Sequence, residues 1–488
     1  MQIPFGEWLP DQPEYLNPGA NTANNVYFAR QSYKRFPSLV AYSSNNIGAN
    51  SRGAGSFRDN SNNVFNFVAN NTDIFQLDGG TFTSRKSSLT GTDTDYFTFT
   101  QFGQFVVASN GKDAPQYYQM GTSTNFANLS TIGSSGTVPV FKVSGVIRDF
   151  FVTGNHTNNS NRIQWSGIND LTTWEAGTKQ SDLQDLPGSG GQIVHITSGE
   201  IGYVFRQNQI IRMDYVGGAT VFRLSVISPN RGAVLGRTVC QDNRRVFFYA
   251  DDGFYELNGD QVISIGAEKV NRFFDTDLNK AFSDRICAAV DPFNQLALWL
   301  YPSASNTANT TGICDKVIIY NYATQKWSTA DASASTIFSQ FVGAYTVELM
   351  DIISENLDAI NIALDTDFWN GGQLYLGAID SDFKAAIFSG TENEGTLETR
   401  ELELFPGHRS SITNIRPIVD ATSTVTISSR ERLADTATES SSSSMVASGD
   451  NPVRQSGRYF KIKVTTPAGS VWTHAQGVDL IASRIGLR

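Results

Sequence analysis

The sequence predicts an all-β fold, organised mainly as a β-propeller of six or seven blades, and two observations carry that prediction. The first is composition: the 488 residues include 32 Phe, 17 Tyr and 42 Gly, and only 17% are charged. Aromatic residues fit pleated, half-buried strands, whereas Gly, Asn, Asp and Ser fit tight turns. The second is a recurring arrangement, in which an apolar strand, a short polar turn and a second strand follow one another.

This hairpin occurs seven times, and the spacing between successive copies in the sequence indicates propeller blades. The copy from Arg245 is the clearest, because its strands flank the Asp-Gly pair typical of a hairpin turn. Consecutive starts lie roughly 40 to 55 residues apart, which is typical of four-stranded blades. The last interval is longer, roughly 75 residues, and we expect it to hold an insertion or an uncounted outer strand pair. Unrelated hairpins in a sandwich are the alternative. The starts are Phe67, Gln104, Asp149, Gly202, Arg245, Leu296 and Gly372.

The first 45 residues differ from the hairpin array. They have few periodic apolar positions and several turn-forming prolines, so we expect an extended N-terminal arm laid across a neighbouring surface or subunit. Exposed aromatic and apolar side chains on such an arm bury well against a partner. The predicted subunit or partner contacts in this arm are Phe5, Trp8, Leu9 and Tyr15.

We assign residues 46–404 to the propeller and residues 405–488 to a small C-terminal β-sandwich-like domain. In that domain Phe460, Ile462 and Val464 alternate with polar residues, which predicts a strand with one buried face. Five consecutive serines, Ser440 to Ser444, predict a mobile loop rather than core.

Charge and cysteine content limit the classes of partner and compartment. The net charge of −10 gives the whole protein no electrostatic preference for nucleic acid or anionic membranes. The segment from Arg400 onward is nevertheless net basic, and within it we predict partner contacts at Arg458 and Lys461. A protein-docking or solvated face fits this patch better than nucleic-acid readout.

No apolar stretch approaches the roughly 20 residues that span a bilayer, so we expect no membrane insertion. The three cysteines form no disulfide framework, and the first residues lack the pattern of a signal peptide. Synthesis of a soluble protein in the cytoplasm is therefore expected.

The sequence offers no convincing reaction centre. None of the four histidines has a second His or Cys at metal-ligand spacing, so we predict no catalytic residue, no metal and no cofactor. Two hairpin turns explain the carboxylates near Asp252 and Asp260 better than a calcium loop does. Trp165 and Trp174 could form a carbohydrate-stacking platform, although packing between adjacent blades is the favoured interpretation.

Particular segments at both ends and in the middle of the chain resemble one family. The opening Phe-Gly-Glu-Trp-Leu-Pro-Asp-Gln-Pro from Phe5 and the segment Gln164–Trp174 are two of these. The closing Ser-Gly-Arg-Tyr from Ser456, followed by Trp472, is another. They resemble the tail hub or nozzle proteins of short-tailed double-stranded-DNA bacteriophages, also called packaged-DNA stabilisation proteins. The Ser-rich stretch and the wide spacing before Gly372 depart from that pattern, which affects which loops would reach partner proteins.

The resemblance implies a structural role in the virion tail, after assembly in the host cytoplasm. It implies a homo-hexameric ring below the portal and its adaptor ring, which docks tail fibres or spikes. The axial channel of that ring would conduct and retain packaged DNA without sequence recognition. Because each cationic phosphate contact adds affinity, we expect this channel to be acidic or neutral. The alternative function is a virion-associated glycan-binding or glycan-cleaving β-propeller.

Overall fold

The computed structural model describes residues 1–15, 17–218, 220–341 and 374–486, and their regular secondary structure is almost entirely β-strand. Five short strands precede the first blade. They are β1 (Gln2–Pro4), β2 (Thr22–Asn24), β3 (Val26–Ala29), β4 (Ser32–Arg35) and β5 (Ser38–Ala41).

Five antiparallel sheets of four consecutive strands follow, and each is one blade of a propeller. Blade one has β6 (Gly53–Arg58), β7 (Val64–Ala69), β8 (Ile74–Asp78) and β9 (Thr81–Lys86). Blade two has β10 (Thr98–Phe102), β11 (Phe105–Ser109), β12 (Gln116–Gln119) and β13 (Ala127–Asn128). Blade three has β14 (Phe141–Ile147), β15 (Phe150–His156), β16 (Asn159–Trp165) and β17 (Asp182–Asp185). Blade four has β18 (Ile193–Ile196), β19 (Gly202–Arg206), β20 (Ile210–Tyr215) and β21 (Phe222–Ser228). Blade five has β22 (Cys240–Asp242), β23 (Arg245–Ala250), β24 (Gly253–Asn258) and β25 (Gln261–Ser264).

Blades six and seven share one long strand. The strands are β26 (Cys287–Asp291), β27 (Leu296–Tyr301), β28 (Cys314–Asn321), β29 (Lys326–Phe341), β30 (Leu374–Asp380) and β31 (Ala385–Gly390). The first half of β29 pairs with β28, and its second half pairs with β30 after a register shift near Ala334. Strand β5 then pairs with β31, so that Val40 lies opposite Ile387 and the N-terminal strand completes the seventh blade.

The first strands of the blades surround the propeller axis, and the second half of β29 contacts β6, which closes the ring. The few helices lie in connections between strands. The α-helix α1 (Asn271–Asp277) joins blades five and six, and the 3₁₀ turns are Leu129–Ile132, Gly236–Thr238 and Lys280–Arg285. The structure therefore confirms a β-propeller, with seven blades in the described residues. No helix among them is long and apolar enough to cross a membrane.

The remaining strands form a β-sandwich. They are β32 (Gly395–Glu398), β33 (Leu402–Glu403), β34 (Arg409–Val419), β35 (Thr424–Arg430), β36 (Thr438–Glu439), β37 (Ser443–Ser444), β38 (Asn451–Gly457), β39 (Tyr459–Thr466) and β40 (Ala475–Gly486). One layer contains β32, β33, β39, β35, β36 and β37, and the other has the order β3-β4-β40-β34-β38 with β1 added to β40. The predicted alternation is confirmed, because Phe460, Ile462 and Val464 are buried between the layers.

A single sheet of fourteen strands links the propeller to the sandwich. Its link is β2, which pairs with β32 of the sandwich and meets β29 of blade six at Thr329. The apolar core is also continuous here, extending from Trp299 and Trp327 in blade six to Phe460 in the sandwich. The two units therefore share backbone hydrogen bonds and buried side chains.

The predicted domain boundaries differ from this arrangement. Residues 1–45 do not form a separate extended arm: β1, β3 and β4 belong to the sandwich, β2 links the two units and β5 belongs to the propeller. The C-terminal part of the sandwich starts at β32, before the predicted boundary at residue 405. Long-range strand pairing causes this difference, because a strand's partners cannot be read from its local sequence.

Two further sequence predictions concern loops. The serine run was predicted to be a mobile loop, but Ser443–Ser444 and the preceding Thr438–Glu439 pair with β35 as short exposed strands. The insertion expected before Gly372 falls largely on residues 342–373, outside the described residues.

Candidate interaction surfaces

Three of the residues predicted to contact partners are buried inside the chain itself. Phe5 and Trp8 belong to the core shared by the sandwich and the propeller, and Leu9 is buried next to them. The Trp8 ring lies edge-on to Phe273 of α1, with 5.0 Å between ring centroids, and its Nε1 donates to the carbonyl oxygen of Asn21. The expected exposure of these side chains is therefore wrong, because the segment inserts between the two units.

The other three predicted residues meet on one surface of the sandwich. Tyr15 packs edge-on against Tyr459, with 5.4 Å between ring centroids. Lys461 Nζ lies 3.2 Å from both carboxylate oxygens of Glu14. Arg458 Nε donates to Glu403 Oε1 over 2.8 Å. The structure thus brings the N-terminal and C-terminal predictions together, but as contacts within one chain.

Ion pairs neutralise most of the predicted basic patch. Lys463 pairs with Glu439, and Arg458 and Lys461 have the partners given above. The hydrogen bond from Arg458 helps to lower the pKa of Glu403, against the opposing effect of its burial. Arg454 is exposed and forms no ion pair with the described residues, so it is the cation of this patch most available to a neighbour.

The two tryptophans that suggested a carbohydrate platform are buried. Trp165 packs in the cluster between blades three and four, and its Nε1 donates to the carbonyl oxygen of Gln180. Trp174 packs in the cluster between blades two and three, and its Nε1 donates to the carbonyl oxygen of Leu171. Packing between blades, the favoured interpretation, is confirmed for both.

The groups with reactive or metal-binding chemistry are mostly withdrawn into the core. Burial raises the pKa of the thiols of Cys240, Cys287 and Cys314, which keeps them protonated and poorly nucleophilic. Burial also lowers the pKa of His156 and of His195 to about 4. In the part of the chain that the structure describes, no three His, Cys, Asp or Glu side chains are grouped to hold a metal ion.

A cationic cluster that the sequence did not predict lies at one end of the propeller axis. Arg52, Arg237 and Arg285 each stand shortly before the first strand of a blade, namely β6, β22 and β26. Connections at this position all emerge at the same end of a propeller, so the three side chains approach one another. Locating the first strands in the sequence would have revealed the shared position, but those strands carry no strong pattern.

A cavity of about 350 Å³ opens along the axis next to this cluster. It is lined by the first strands of blades one, two, five, six and seven, and by Arg237. Arg237 Nη2 donates to Thr336 Oγ1 over 2.9 Å and to the carbonyl oxygen of Ser335 over 3.3 Å. Chemically, the arrangement offers guanidinium donors to an anion or to a docking protein.

Comparison with known proteins supplies structural neighbours but no family. No protein-family model matches the chain, and a search of curated proteins finds no match. The structure is similar to a chain of the crystal structure of the mitotic checkpoint complex, with 10% identity, 74% of this chain and 98% of that chain covered, and a TM-score of 0.41. It is also similar to a chain of BBS1N in complex with ARL6DN, with 10% identity, coverage of 72% and 95%, and a TM-score of 0.41. The strand topology by itself establishes the class, which is an all-β propeller protein.

Proposed function

We propose that this protein is a non-enzymatic structural subunit of a larger assembly. The observation that carries the proposal is the fourteen-stranded sheet that joins the closed propeller to the sandwich. Closure of the ring leaves few free strand edges, and a shared sheet resists relative motion of the two units. The N-terminal strand is also tied down, since the Met1 ammonium lies 2.8 Å from Asp479 Oδ1 of β40. A rigid subunit of this kind is suited to bearing mechanical load within an assembly.

The specific assembly we propose is the homo-hexameric tail hub or nozzle of a short-tailed bacteriophage. The sequence resemblance described above supports this choice, and the net negative charge is compatible with a channel that lets DNA slide. In this proposal the ring joins the portal-adaptor ring and docks tail fibres or spikes. Arg454 and its neighbours on β38 and β39 would face a protein partner rather than DNA.

Negative-stain microscopy of the purified full chain, with mass measurement in solution, tests this proposal. We expect six-fold rings. A monomer or trimer would contradict it, and one that releases reducing sugar from host polysaccharide would favour the glycan-directed alternative. The two tryptophans that suggested that alternative are buried.

A matched pair of variants tests which surface assembles. Arg454→Glu reverses an exposed charge on the sandwich, whereas Arg244→Glu reverses an exposed charge at the turn between β22 and β23 of blade five. We expect Arg454→Glu to reduce the fraction of rings and Arg244→Glu to leave it unchanged. Equal behaviour of the two variants would show that the basic patch does not mediate assembly.

A further inference from the structure

Two of the arginines at the propeller mouth share one carboxylate. Arg52 Nη2 lies 3.2 Å from Asp93 Oδ1, and Arg285 Nη2 lies 4.0 Å from Asp93 Oδ2. The Arg52 side chain is 3% exposed and that of Arg285 is 13% exposed, whereas Asp93 is 68% exposed. The largely exposed carboxylate of Asp93 therefore pairs with two arginines whose side chains are mostly buried.

The three arginines carry more positive charge than the nearby carboxylates of Asp93 and Asp284 neutralise. Arg237 has only neutral acceptors and forms no ion pair with the described residues. The Nε of Arg285 lies 3.2 Å from Asp284 Oδ2 but makes no hydrogen bond, so a buried donor is left over. Burial, followed by the positive charges of Arg285 and Arg237, lowers the pKa of Arg52 to about 10. Buried like charges are costly unless an anion compensates them.

We propose that Arg52, Arg285 and Arg237 form a binding site for a small multivalent oxyanion, of which inorganic phosphate is the model. A guanidinium group presents a planar fork of donors that suits phosphate oxygens. A tetrahedral anion accepts such donors from several directions and carries more negative charge than the single carboxylate of Asp93. Arg237 also lines the axial cavity of about 350 Å³.

Asp93 acts as the built-in competitor for this site. Its carboxylate is held by Asn71 Nδ2, which donates to Oδ1 over 2.6 Å, as well as by the two arginines. Because the Asp93 side chain is exposed, it can be displaced without opening the core. Wild-type protein should therefore bind phosphate weakly, and removal of this one negative charge should expose the site.

The test is phosphate binding by isothermal titration calorimetry on the full chain, at constant ionic strength set with chloride. We expect one phosphate per chain, bound at least tenfold more tightly by Asp93→Asn than by wild type. Arg285→Gln introduced into Asp93→Asn should abolish that gain. Asp93→Asn removes a compensating charge from Arg52 and Arg285 but no buried side chain, and circular dichroism verifies that the variant folds.

The matched control is Asp185→Asn. Asp185 is an exposed carboxylate that pairs with a single arginine, Arg162, over 2.6 Å, so its removal frees one guanidinium but no cluster. We expect no phosphate binding from this control. The proposal is overturned if Asp93→Asn binds phosphate no more tightly than wild type, or if Asp185→Asn gains the same affinity. Displacement of phosphate by a short DNA duplex at equal phosphate concentration would also contradict a site for small anions.

Discussion

The first six blades and the sandwich are both antiparallel β-structures, but they are assembled from the chain in opposite ways. Each of those blades, such as β6 to β9, uses strands that follow one another in sequence. The sandwich pairs β1 with β40 and β4 with β40, contacts that span almost the whole chain. The seventh blade, completed by β5, shares this second mode. Local pairing leaves a pattern in the sequence, and distant pairing does not.

The largest loss of stability that this comparison predicts comes from a substitution in the core shared by the propeller and the sandwich. Trp8→Ala removes a buried ring that touches α1 and the sandwich core, so we expect a loss of about 3–5 kcal/mol in the free energy of unfolding. Because the core is shared, we expect one urea transition, with the same midpoint whether it is followed by the fluorescence of the propeller tryptophans or by circular dichroism. Phe293→Ala, at an 85% exposed side chain, is the control and should change little.

Two separate urea transitions for Trp8→Ala would contradict a shared core. The same reasoning shows why truncation is a poor test of assembly. Deletion of residues 1–16 removes Phe5 and Trp8 from the core, so lost ring formation would report unfolding rather than a missing contact.

The second prediction concerns completion of the seventh blade by β5. Val40→Asp places a carboxylate in the apolar cluster that joins blades seven and one, and we expect a cost of roughly 3 kcal/mol. The adjacent Ala41→Asp points to solvent and should cost less than about 0.5 kcal/mol. Hydrogen exchange by mass spectrometry should show faster exchange first in β5 and β31 of Val40→Asp. Equal stability of the two variants would mean that β5 does not complete the seventh blade.

The same contrast explains how much of the fold was predictable. All seven predicted hairpins contain the second strand of a blade, because strands such as Arg245–Ala250 combine apolar runs with tight turns. Several first strands escaped detection because small residues at the crowded axis interrupt their apolar pattern. A Cβ atom on Gly53, for example, would lie 2.5 Å from the carbonyl oxygen of Phe97 in the next blade. The outer strands, such as Gln261–Ser264, are largely exposed and carry no apolar pattern.

The candidate surfaces were predicted less well, for a related reason. The sequence indicates which side chains can make contacts, such as Trp8 and Lys461, but not whether the partner belongs to the same chain. The arginine cluster was missed because Arg52, Arg237 and Arg285 are far apart in sequence and come together only through the repeat of the blades. Their common position before a first strand becomes visible once those strands are located.

A third prediction uses the buried histidines of the propeller. Burial is the first cause that lowers the pKa of His156 to about 4, and its ring shares a hydrogen bond of 3.0 Å with Thr153. The unfolded chain binds a proton near pH 6.5, so it binds more protons than the folded chain between about pH 4 and 6.5. Stability should therefore fall as the pH drops through this window, by roughly 2 kcal/mol from pH 7 to pH 5 for this one group.

Urea titrations of wild type and His156→Gln at pH 7 and pH 5 measure this effect. The variant should lose less stability on acidification than wild type, because glutamine does not titrate. His195, whose pKa burial also lowers to about 4, should contribute in the same direction. An unchanged pH dependence in His156→Gln would show that His156 is not buried as a neutral ring.

The smallest predicted effect concerns the surface where the two chain ends meet. Lys461→Ala removes an ion pair with Glu14, which is itself 49% exposed, so the free energy of unfolding should fall by less than about 1 kcal/mol. A double-mutant cycle with Glu14→Ala should give a coupling energy of about 0.2–1 kcal/mol that decreases with added salt. Ring formation by Lys461→Ala, followed by microscopy, separates two roles that stability alone cannot. If rings are lost while stability changes this little, the pair also meets a neighbouring subunit, whereas intact rings restrict it to joining β39 to the N-terminal segment.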